Sequence, residues 1–451
     1  MSTSRKSRGA MGLLGALLAT QVLAQQTEPA PAPSQLELAR ELALAVDLPT
    51  PKARREAAKR LAARKEIALE SWLAAAQSFG NFARDEVGSR VLEAELQVLD
   101  AIEATELQVF VPRSYDPEKP HPLLMAFHGT GGSGRGMERN WVATAEALGM
   151  LVVAPSEAGA NEGYAFHPRE RAAAHAALRW ARRRWNIDED RVYLSGISRG
   201  GHLAWDLALR SPDRFAAIAP LIGGPRLHAL EGQNNLRFVE QLVHLPIRDL
   251  QGAEDDPGLL FNLRLAFAKL AAAKARDARL LEFRGVGHGF DFTAVDWTEF
   301  LGAARRDPRP ASVVRLAVRT DEARAFFLEL TRLTKDAQED IRPKVEAARW
   351  NAMSNDEKKG FLQEQADRAT ARLLVRRAAP DLYAVEEERH VASFRLLLAD
   401  GLFAPEAPLR VKWRGKETKK TPKREARVLL EDFVERFDRR YLPVVEIRCG
   451  G

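Results

Sequence analysis

The sequence predicts an α/β fold with a doubly wound, mostly parallel sheet, a helical segment before it and a smaller, β-rich α+β domain after it. Two short apolar runs, at residues 123–127 and 151–154, have the unbroken hydrophobicity of strands buried on both faces of a sheet. Ala-rich stretches of helical length, such as residues 169–184, separate runs of this kind. Strands that alternate with helices favour a parallel sheet covered by helices on both faces.

The composition excludes several classes of protein. Apolar residues make up 45% and charged residues 29% of the 451 positions, so the chain is neither wholly disordered nor a multi-span membrane protein. The formal net charge is +6, which is too small an excess to indicate a nucleic-acid partner. Cys449 is the only cysteine, which excludes a disulfide framework and a cysteine-based zinc site within one chain.

The first residues are typical of a secretory signal peptide. Basic residues at positions 5–8 precede an apolar stretch at residues 10–23, and Ala24 is a small residue that suits a signal peptidase. We therefore expect residues 1–24 to be a cleaved leader, so that the mature protein is secreted or periplasmic and has no membrane span. Residues 25–34 are rich in Pro and Ala and are expected to form an extended linker.

Residues 35–105 are predicted to form a helical N-terminal segment. They are rich in Ala, Leu, Glu, Arg and Lys, and their apolar residues recur with helical spacing. Val91, Leu92, Leu96 and Leu99 form one such set. Helices are therefore expected up to the first strand.

A Pro-rich break at residues 307–310 divides the rest of the chain into two predicted domains. In residues 106–306, the α/β domain, we expect strands at 107–111, 123–127, 151–154, 191–194, 215–222, 246–250 and 279–283, and helices at 169–184, 200–209 and 259–275. In residues 311–451, the β-rich domain, we expect strands at 313–318, 325–330, 345–350, 393–398, 409–413 and 444–447, and helices near 357–376 and 428–437.

The strongest chemical signal is the G-x-S-x-G motif at residues 196–200, which is followed by Gly201. A predicted strand leads into the motif and a predicted helix leaves it. Such a turn needs glycine around the serine, and it exposes the Ser198 hydroxyl at the edge of the sheet. It also directs the backbone N–H of Arg199 toward the place where an oxyanion would form. Ser198 is therefore the predicted nucleophile.

A second glycine-rich loop, residues 128–134, directly follows the strand predicted at 123–127. A phosphate-binding loop is disfavoured because no Gly-Lys-Ser/Thr follows. The alternative is the other half of an oxyanion hole, with the N–H of Thr130, or of Gly131, facing the developing charge.

A serine nucleophile needs a base, and His288 is the predicted one among nine histidines. It follows the strand predicted at 279–283 between two glycines, and in hydrolases with this serine turn the chain order is serine, acid, histidine. The acid should then lie after the preceding strand, where Asp255 and Asp256 are adjacent. We favour Asp255 as the triad acid and keep Asp256 as the alternate, because only one of them can face the imidazole.

Residues 106–306 resemble the α/β-hydrolase superfamily. Residues 111–115, 122–134 and 196–201 resemble the opening strands, oxyanion loop and nucleophile turn of secreted esterases of the polyhydroxybutyrate-depolymerase and feruloyl-esterase kind, and of serine peptidases of the prolyl-oligopeptidase group. One departure concerns the acid loop, where those families often have His-Gly-x-x-Asp and this chain has Gln251 in the place of the histidine.

The resemblance implies a secreted serine hydrolase that cleaves a carboxylic ester through a Ser-His-Asp triad and an acyl-enzyme. Its substrate would be a small molecule or polymer with an ester or amide bond, and the chemistry requires no metal or cofactor. Two alternatives stay open: a serine peptidase of the prolyl-oligopeptidase type, which would use the same triad, and a non-catalytic binding or scaffold protein on a hydrolase fold.

Overall fold

A computed structural model describes residues 33–156, 162–227 and 233–450. The predicted leader, residues 1–24, and most of the predicted linker, residues 25–34, lie outside the described residues. None of the helices in the described part of the chain combines the length and the apolar character needed to cross a membrane.

The helices and strands of the described residues alternate in the middle of the chain. The helices are α1 (Gln35–Val46), α2 (Pro51–Ala62), α3 (Leu69–Gln77), α4 (Gly134–Glu138), α5 (Val142–Leu148), α6 (Pro168–Arg184), α7 (Arg199–Arg210), α8 (Pro257–Ala272), α9 (Trp297–Ala303), α10 (Ala347–Ala352), α11 (Asn355–Arg368) and α12 (Ala426–Arg436). Short 3₁₀ helices span Pro212–Arg214, Leu236–Leu242 and Phe292–Ala294.

The strands are β1 (Gly88–Val98), β2 (Ala101–Val111), β3 (His121–Phe127), β4 (Leu151–Ser156), β5 (Ile187–Ile197), β6 (Ala217–Leu221), β7 (Ile247–Gly252), β8 (Ala278–Phe283), β9 (Ser312–Ala317), β10 (Arg324–Ala325), β11 (Leu328–Leu333), β12 (Ala371–Ala379), β13 (Leu382–Arg389), β14 (Val391–Ala399), β15 (Leu409–Trp413), β16 (Lys416–Lys420) and β17 (Pro443–Cys449).

An eight-stranded sheet forms the central domain, residues 88–303, with the strand order β1-β2-β4-β3-β5-β6-β7-β8. The strands from β3 to β8 pair with one another in parallel, whereas β2 pairs antiparallel with both β1 and β4. Every residue of β3 is buried, as its unbroken apolar run predicts. Apolar residues of α6, α7 and α8 cover one face of the sheet, and those of α5 and α9 cover the other. The predicted doubly wound, mostly parallel sheet is thus confirmed.

The helical prediction for the end of the N-terminal segment is wrong. Val91, Leu92 and Leu96 lie in β1, which forms an antiparallel hairpin with β2, and Leu99 lies in the turn between the two strands with a φ of 51°. Helices α1 to α3 do form. Residues 88–98 and 101–111 instead extend the sheet at one edge.

The C-terminal domain, residues 312–449, contains two sheets, with the orders β10-β11-β14-β17 and β16-β15-β13-β12-β9. Its β-rich character agrees with the prediction, but several details differ. The strand predicted at 345–350 is replaced by helix α10, and the helix predicted at 357–376 ends at Arg368, where β12 soon begins. Strands β13 and β16 were not predicted.

The N-terminal helices and the C-terminal domain share one hydrophobic core. Trp72 of α3 and Leu42 of α1 are fully buried in the same cluster as Phe394 of β14 and Phe433 of α12. The rings of Phe79 and Phe433 lie 5.4 Å apart, edge to face. The two ends of the described chain therefore build a single unit beside the central domain.

Buried ion pairs join this unit to the central domain, and we call them the domain interface. They are Arg306–Asp438 at 2.5 Å, Arg436–Asp213 at 2.5 Å and Arg171–Glu322 at 3.0 Å. The Arg306 side chain is only 2% exposed and also contacts Asp190 at 2.8 Å. Because charges are costly to desolvate, each must keep its partner.

Candidate active site

Ser198 lies at a tight turn between β5 and α7. Its φ and ψ are 54° and −112°, a strained conformation for a residue other than glycine, and its N–H donates to the Leu221 carbonyl at 2.8 Å. A Cβ added to Gly196 would lie 2.0 Å from the Gly200 carbonyl oxygen, so the turn can close only with glycine there. This is the geometry that the G-x-S-x-G motif predicts.

His288 lies within hydrogen-bond distance of Ser198. Its Nε2 is 2.9 Å from the Ser198 Oγ, and its Nδ1 is 2.8 Å from the Asp255 Oδ2. An ionised carboxylate only accepts, so Nδ1 carries the proton, and Nε2 is then free to accept from the serine hydroxyl. The structure thus brings the three predicted residues into one hydrogen-bonded chain, although they are far apart in the sequence.

The two adjacent aspartates have different partners. Asp255 faces the imidazole, whereas the Asp256 side chain accepts from the Leu259 N–H at 2.8 Å and so caps α8. Of the two aspartates that the sequence offered as the acid, Asp255 is therefore the one that faces the imidazole. Pro257 at the first position of α8 is typical of a helix that begins with such a cap.

The acid and base loops are tied to each other. The Glu254 N–H donates to the Val286 carbonyl at 2.9 Å. A Cβ on Gly252 would lie 1.8 Å from the Gly287 oxygen, so the approach requires glycine. Because these loops follow the neighbouring strands β7 and β8, the sheet itself fixes the spacing between Asp255 and His288.

Asp255 is held in its charged form. Burial raises the pKa of its carboxyl, but hydrogen bonds from the Asp256 backbone and from the side chains of His288 and Gln251 lower it more, so the pKa lies below its usual value. The Asp255 side chain is 8% exposed, whereas that of His288 is 53% exposed. The acid is thus enclosed, and the base faces solvent.

Gln251 contacts Asp255, and the sequence did not predict this contact. Its Nε2 donates to the Asp255 Oδ2 at 2.6 Å, and the residue is fully buried. The sequence offered one signal, namely a glutamine where the resembling families have histidine. A pattern of residue types does not show what the side chain contacts.

The loop predicted as the second oxyanion element lies against the serine turn. A Cβ on Gly129 would be 3.6 Å from the Ser198 Cβ. The Gly132 N–H donates to the Gly129 carbonyl at 3.0 Å, and Gly131 has a φ of 68°, which together form a tight turn. Among the described residues, the N–H of Thr130 and that of Gly131 have no backbone acceptor, so both stay candidates for the oxyanion donor.

Arg199 contributes to the site through its side chain as well as its position. It is the first residue of α7, and the N–H groups of a first turn point out of the helix. Its guanidinium donates to the Gly163 carbonyl at 3.1 Å and to the Glu170 carboxylate at 3.0 Å. It thereby anchors the segment before α6 next to the nucleophile turn.

Two other ionisable groups lie near the triad. His202, one helical turn after Ser198, bonds through Nδ1 to the Gly224 backbone, and burial lowers the pKa of its imidazole. The Arg226 guanidinium lies 5.1 Å from the centre of the Phe166 ring. Within the described residues, no group of three or more His, Cys, Asp or Glu side chains could hold a metal ion.

The sequence of the central domain matches a known family. Residues 103–304 match the family described as "Putative esterase". The strand order 1-2-4-3-5-6-7-8 and the serine turn after β5 give the class of the fold. The central domain has the α/β-hydrolase fold.

Proteins of similar sequence include some that are named as esterases. The chain is 34% identical over 112 residues to "Putative esterase NocK" of Nocardia uniformis subsp. tsuyamanensis, which covers 23% of this chain and 33% of that protein. It is 29% identical over 134 residues to "Feruloyl esterase C" of Emericella nidulans, covering 28% and 49%. A solved thermostable esterase has a TM-score of 0.41, 22% identity and coverage of 48% of this chain and 63% of its own. This chain thus matches less than half the length of each of these two sequence relatives.

Proposed function

We propose that the protein is a serine hydrolase that cleaves carboxylic esters through an acyl-enzyme. The observation that carries this proposal is the hydrogen-bonded chain Ser198–His288–Asp255 at the carboxyl edge of the sheet. The esterase family match and the esterase relatives support an ester as the bond that is cleaved.

The proposed reaction begins with the transfer of the Ser198 proton to His288 Nε2 while the serine oxygen attacks the ester carbonyl. Asp255 keeps the imidazole in the tautomer that can accept this proton, and it stabilises the imidazolium that forms. His288 then gives the proton to the leaving alcohol. Water activated by His288 releases the acid and restores the serine.

The proposed oxyanion hole consists of the Arg199 N–H and the N–H of Thr130, with Gly131 as the alternate to Thr130. The support is the position of Arg199 at the start of α7 and the contact between Gly129 and the serine turn. Each donor would stabilise the negative charge of the tetrahedral intermediate, and losing one typically costs about 10²–10³ in rate.

We also propose that the enzyme is exported, since the N-terminal residues are typical of a cleaved signal peptide. Expression of the full chain in a bacterial host with fractionation and N-terminal sequencing tests this point. A mature chain that begins at Gln25 in the exported fraction is expected. Uncleaved protein confined to the cytoplasm would contradict it.

A fluorophosphonate probe tests the enzymatic proposal. We expect wild-type protein to be labelled on Ser198, and Ser198→Ala to lose labelling and about 10⁶ of kcat while it keeps its unfolding free energy. Folded wild-type protein that takes no label would instead favour the non-catalytic alternative. A panel of p-nitrophenyl esters and peptide p-nitroanilides then separates esterase from peptidase, and faster turnover of the esters is expected.

A further inference from the structure

Gln251 stands directly behind the triad acid. Its side chain projects from the carboxyl end of strand β7 and is fully buried. Its Nε2 lies 2.6 Å from the same Asp255 oxygen that accepts from His288. The other Asp255 oxygen accepts from the Asp256 N–H at 2.7 Å. The carboxylate is therefore held by three donors, two of which are side chains, and Gln251 is the side-chain donor that is not the base.

The orientation of the Gln251 amide follows from this contact. If the amide were reversed, its carbonyl oxygen would face a carboxylate oxygen that has no proton, and two acceptors would repel each other. Nε2 also lies 3.3 Å from the Gly252 carbonyl, a second acceptor. Both neighbours require an N–H on this side of the amide.

We propose that Gln251 is a positioning residue whose side-chain N–H fixes the Asp255 carboxylate in the orientation that receives the His288 N–H. The inference rests on the proposed function for its kinetic consequences, but the contact itself can be tested without turnover. A hydrogen bond to a charged group contributes enough that its loss lowers a rate about tenfold or more.

The charged and ionisable groups around the acid come from several elements. Asp256 and Glu254 are its chain neighbours, His202 approaches from α7, and Arg226 from the segment after β6. None of these side chains donates to Asp255 in the described structure, whereas Gln251 does. Gln251 is thus the side chain, apart from His288, that can control this carboxylate.

Three substitutions distinguish the effect of the Gln251 N–H donor from the effect of the side-chain volume. Gln251→Met removes the N–H at similar volume, and we expect kcat to fall about tenfold or more with KM changed less than about twofold. Gln251→His supplies a ring N–H and is expected to recover part of that loss. Gln241→Met, which removes a buried amide far from the triad, is the matched control and is expected to leave kcat unchanged.

Gln251→Glu adds a proton-dependent donor. When protonated, the glutamic acid donates to Asp255 as the amide does, and when ionised it repels the carboxylate. The ratio of its kcat/KM to that of wild type is therefore expected to fall as the pH rises. A ratio that stays constant with pH, in combination with a Gln251→Met variant that keeps the kcat of wild type, would mean that Gln251 acts only by filling space.

The downfield ¹H resonance of the His288 Nδ1 proton gives a readout that needs no turnover. We expect it to shift in Gln251→Met and to stay in Gln241→Met. If wild type shows neither labelling nor turnover but this shift occurs, the positioning inference holds and the proposed function fails. If wild type is active and Gln251→Met keeps both the resonance and the kcat of wild type, the inference is overturned.

Discussion

The hydrogen-bonded chain Ser198–His288–Asp255 and the domain interface are two networks of polar side chains that differ in their exposure to solvent. In the triad, His288 is 53% exposed and lies on a loop after a strand. At the domain interface, Arg306 and Asp438 are 2% and 6% exposed and lock two units together. The difference shows how burial divides the roles: an exposed side chain can meet a substrate, whereas a desolvated pair must stay paired because the loss of one partner leaves an uncompensated buried charge.

After loss of the nucleophile itself, the largest effect is expected from Asp255→Asn. The asparagine cannot hold the imidazole in the required tautomer, and kcat should fall by about 10⁴ with little change in unfolding free energy. Steady-state ester hydrolysis and denaturant unfolding measure the two quantities. Asp256→Asn is the matched control, because it removes the same charge at the adjacent position but no contact with His288. Equal losses of kcat in the two variants would contradict the assignment of Asp255 as the acid.

Arg306→Met tests the other network. It leaves Asp438 and Asp190 without their buried cation, so the unfolding free energy should fall by about 3–5 kcal/mol. The folded fraction should keep the kcat of wild type, since the triad is untouched. Arg305→Met is the control at the adjacent position, where the exposed side chain contacts no carboxylate of the described residues. Guanidinium unfolding of both variants measures the difference.

Asp249 sharpens the comparison because it is fully buried and has no cationic partner among the described residues. It accepts from the Trp205 indole at 2.7 Å, and burial raises the pKa of its carboxyl well above the usual value. The folded chain therefore keeps this proton at a pH where the unfolded chain has lost it, and the free energy of unfolding falls as the pH rises above about 4, by at most ~1.4 kcal/mol per pH unit.

Asp249→Asn should remove this pH dependence. The variant is expected to match wild type near pH 3.5, where both side chains are neutral, and to exceed it in unfolding free energy at pH 7. Urea unfolding across this range provides the measurement. A variant that is less stable than wild type at pH 7 would show that the carboxyl is ionised in the folded protein.

The smallest effect is expected from Asp256→Ala, which removes the cap of α8 beside the triad. Loss of such a cap costs about 1 kcal/mol of stability, and kcat/KM should stay within about twofold. Asp296→Ala, which removes the cap of α9, should cost a similar amount. A tenfold loss of kcat/KM in Asp256→Ala alone would give Asp256 a part in the chemistry.

The sequence predicted the central domain well because its signals are local. Buried strands such as β3 are continuous apolar runs, and the glycines around Ser198 mark a turn that few other residues permit. Chain order placed His288 and Asp255 after successive strands. What the pattern could not supply was the choice between two adjacent aspartates, which depends on which of them faces the imidazole.

The sequence-based predictions fail at strands that pair over long sequence distances or that carry charged residues among their apolar ones. Strand β1 lies at an edge of the sheet with most of its residues partly exposed, so its apolar residues do not alternate strictly and gave a helical spacing instead. Strands β12 and β13 carry many Arg and Glu side chains on exposed faces, which hides their period. Gln251 was visible as a departure, but its contact with Asp255 needed coordinates.

The shared core of α1, α3, β14 and α12 has a consequence for how the chain is made. Phe433, which belongs to the same core as Leu42 and Trp72, is synthesised about 360 residues after Trp72. The unit that the two share can close only after the whole central domain has been synthesised, so the central domain is in effect an insert that can complete its own sheet first. A chain shortened before α12 would leave the opening helices without a surface to pack on.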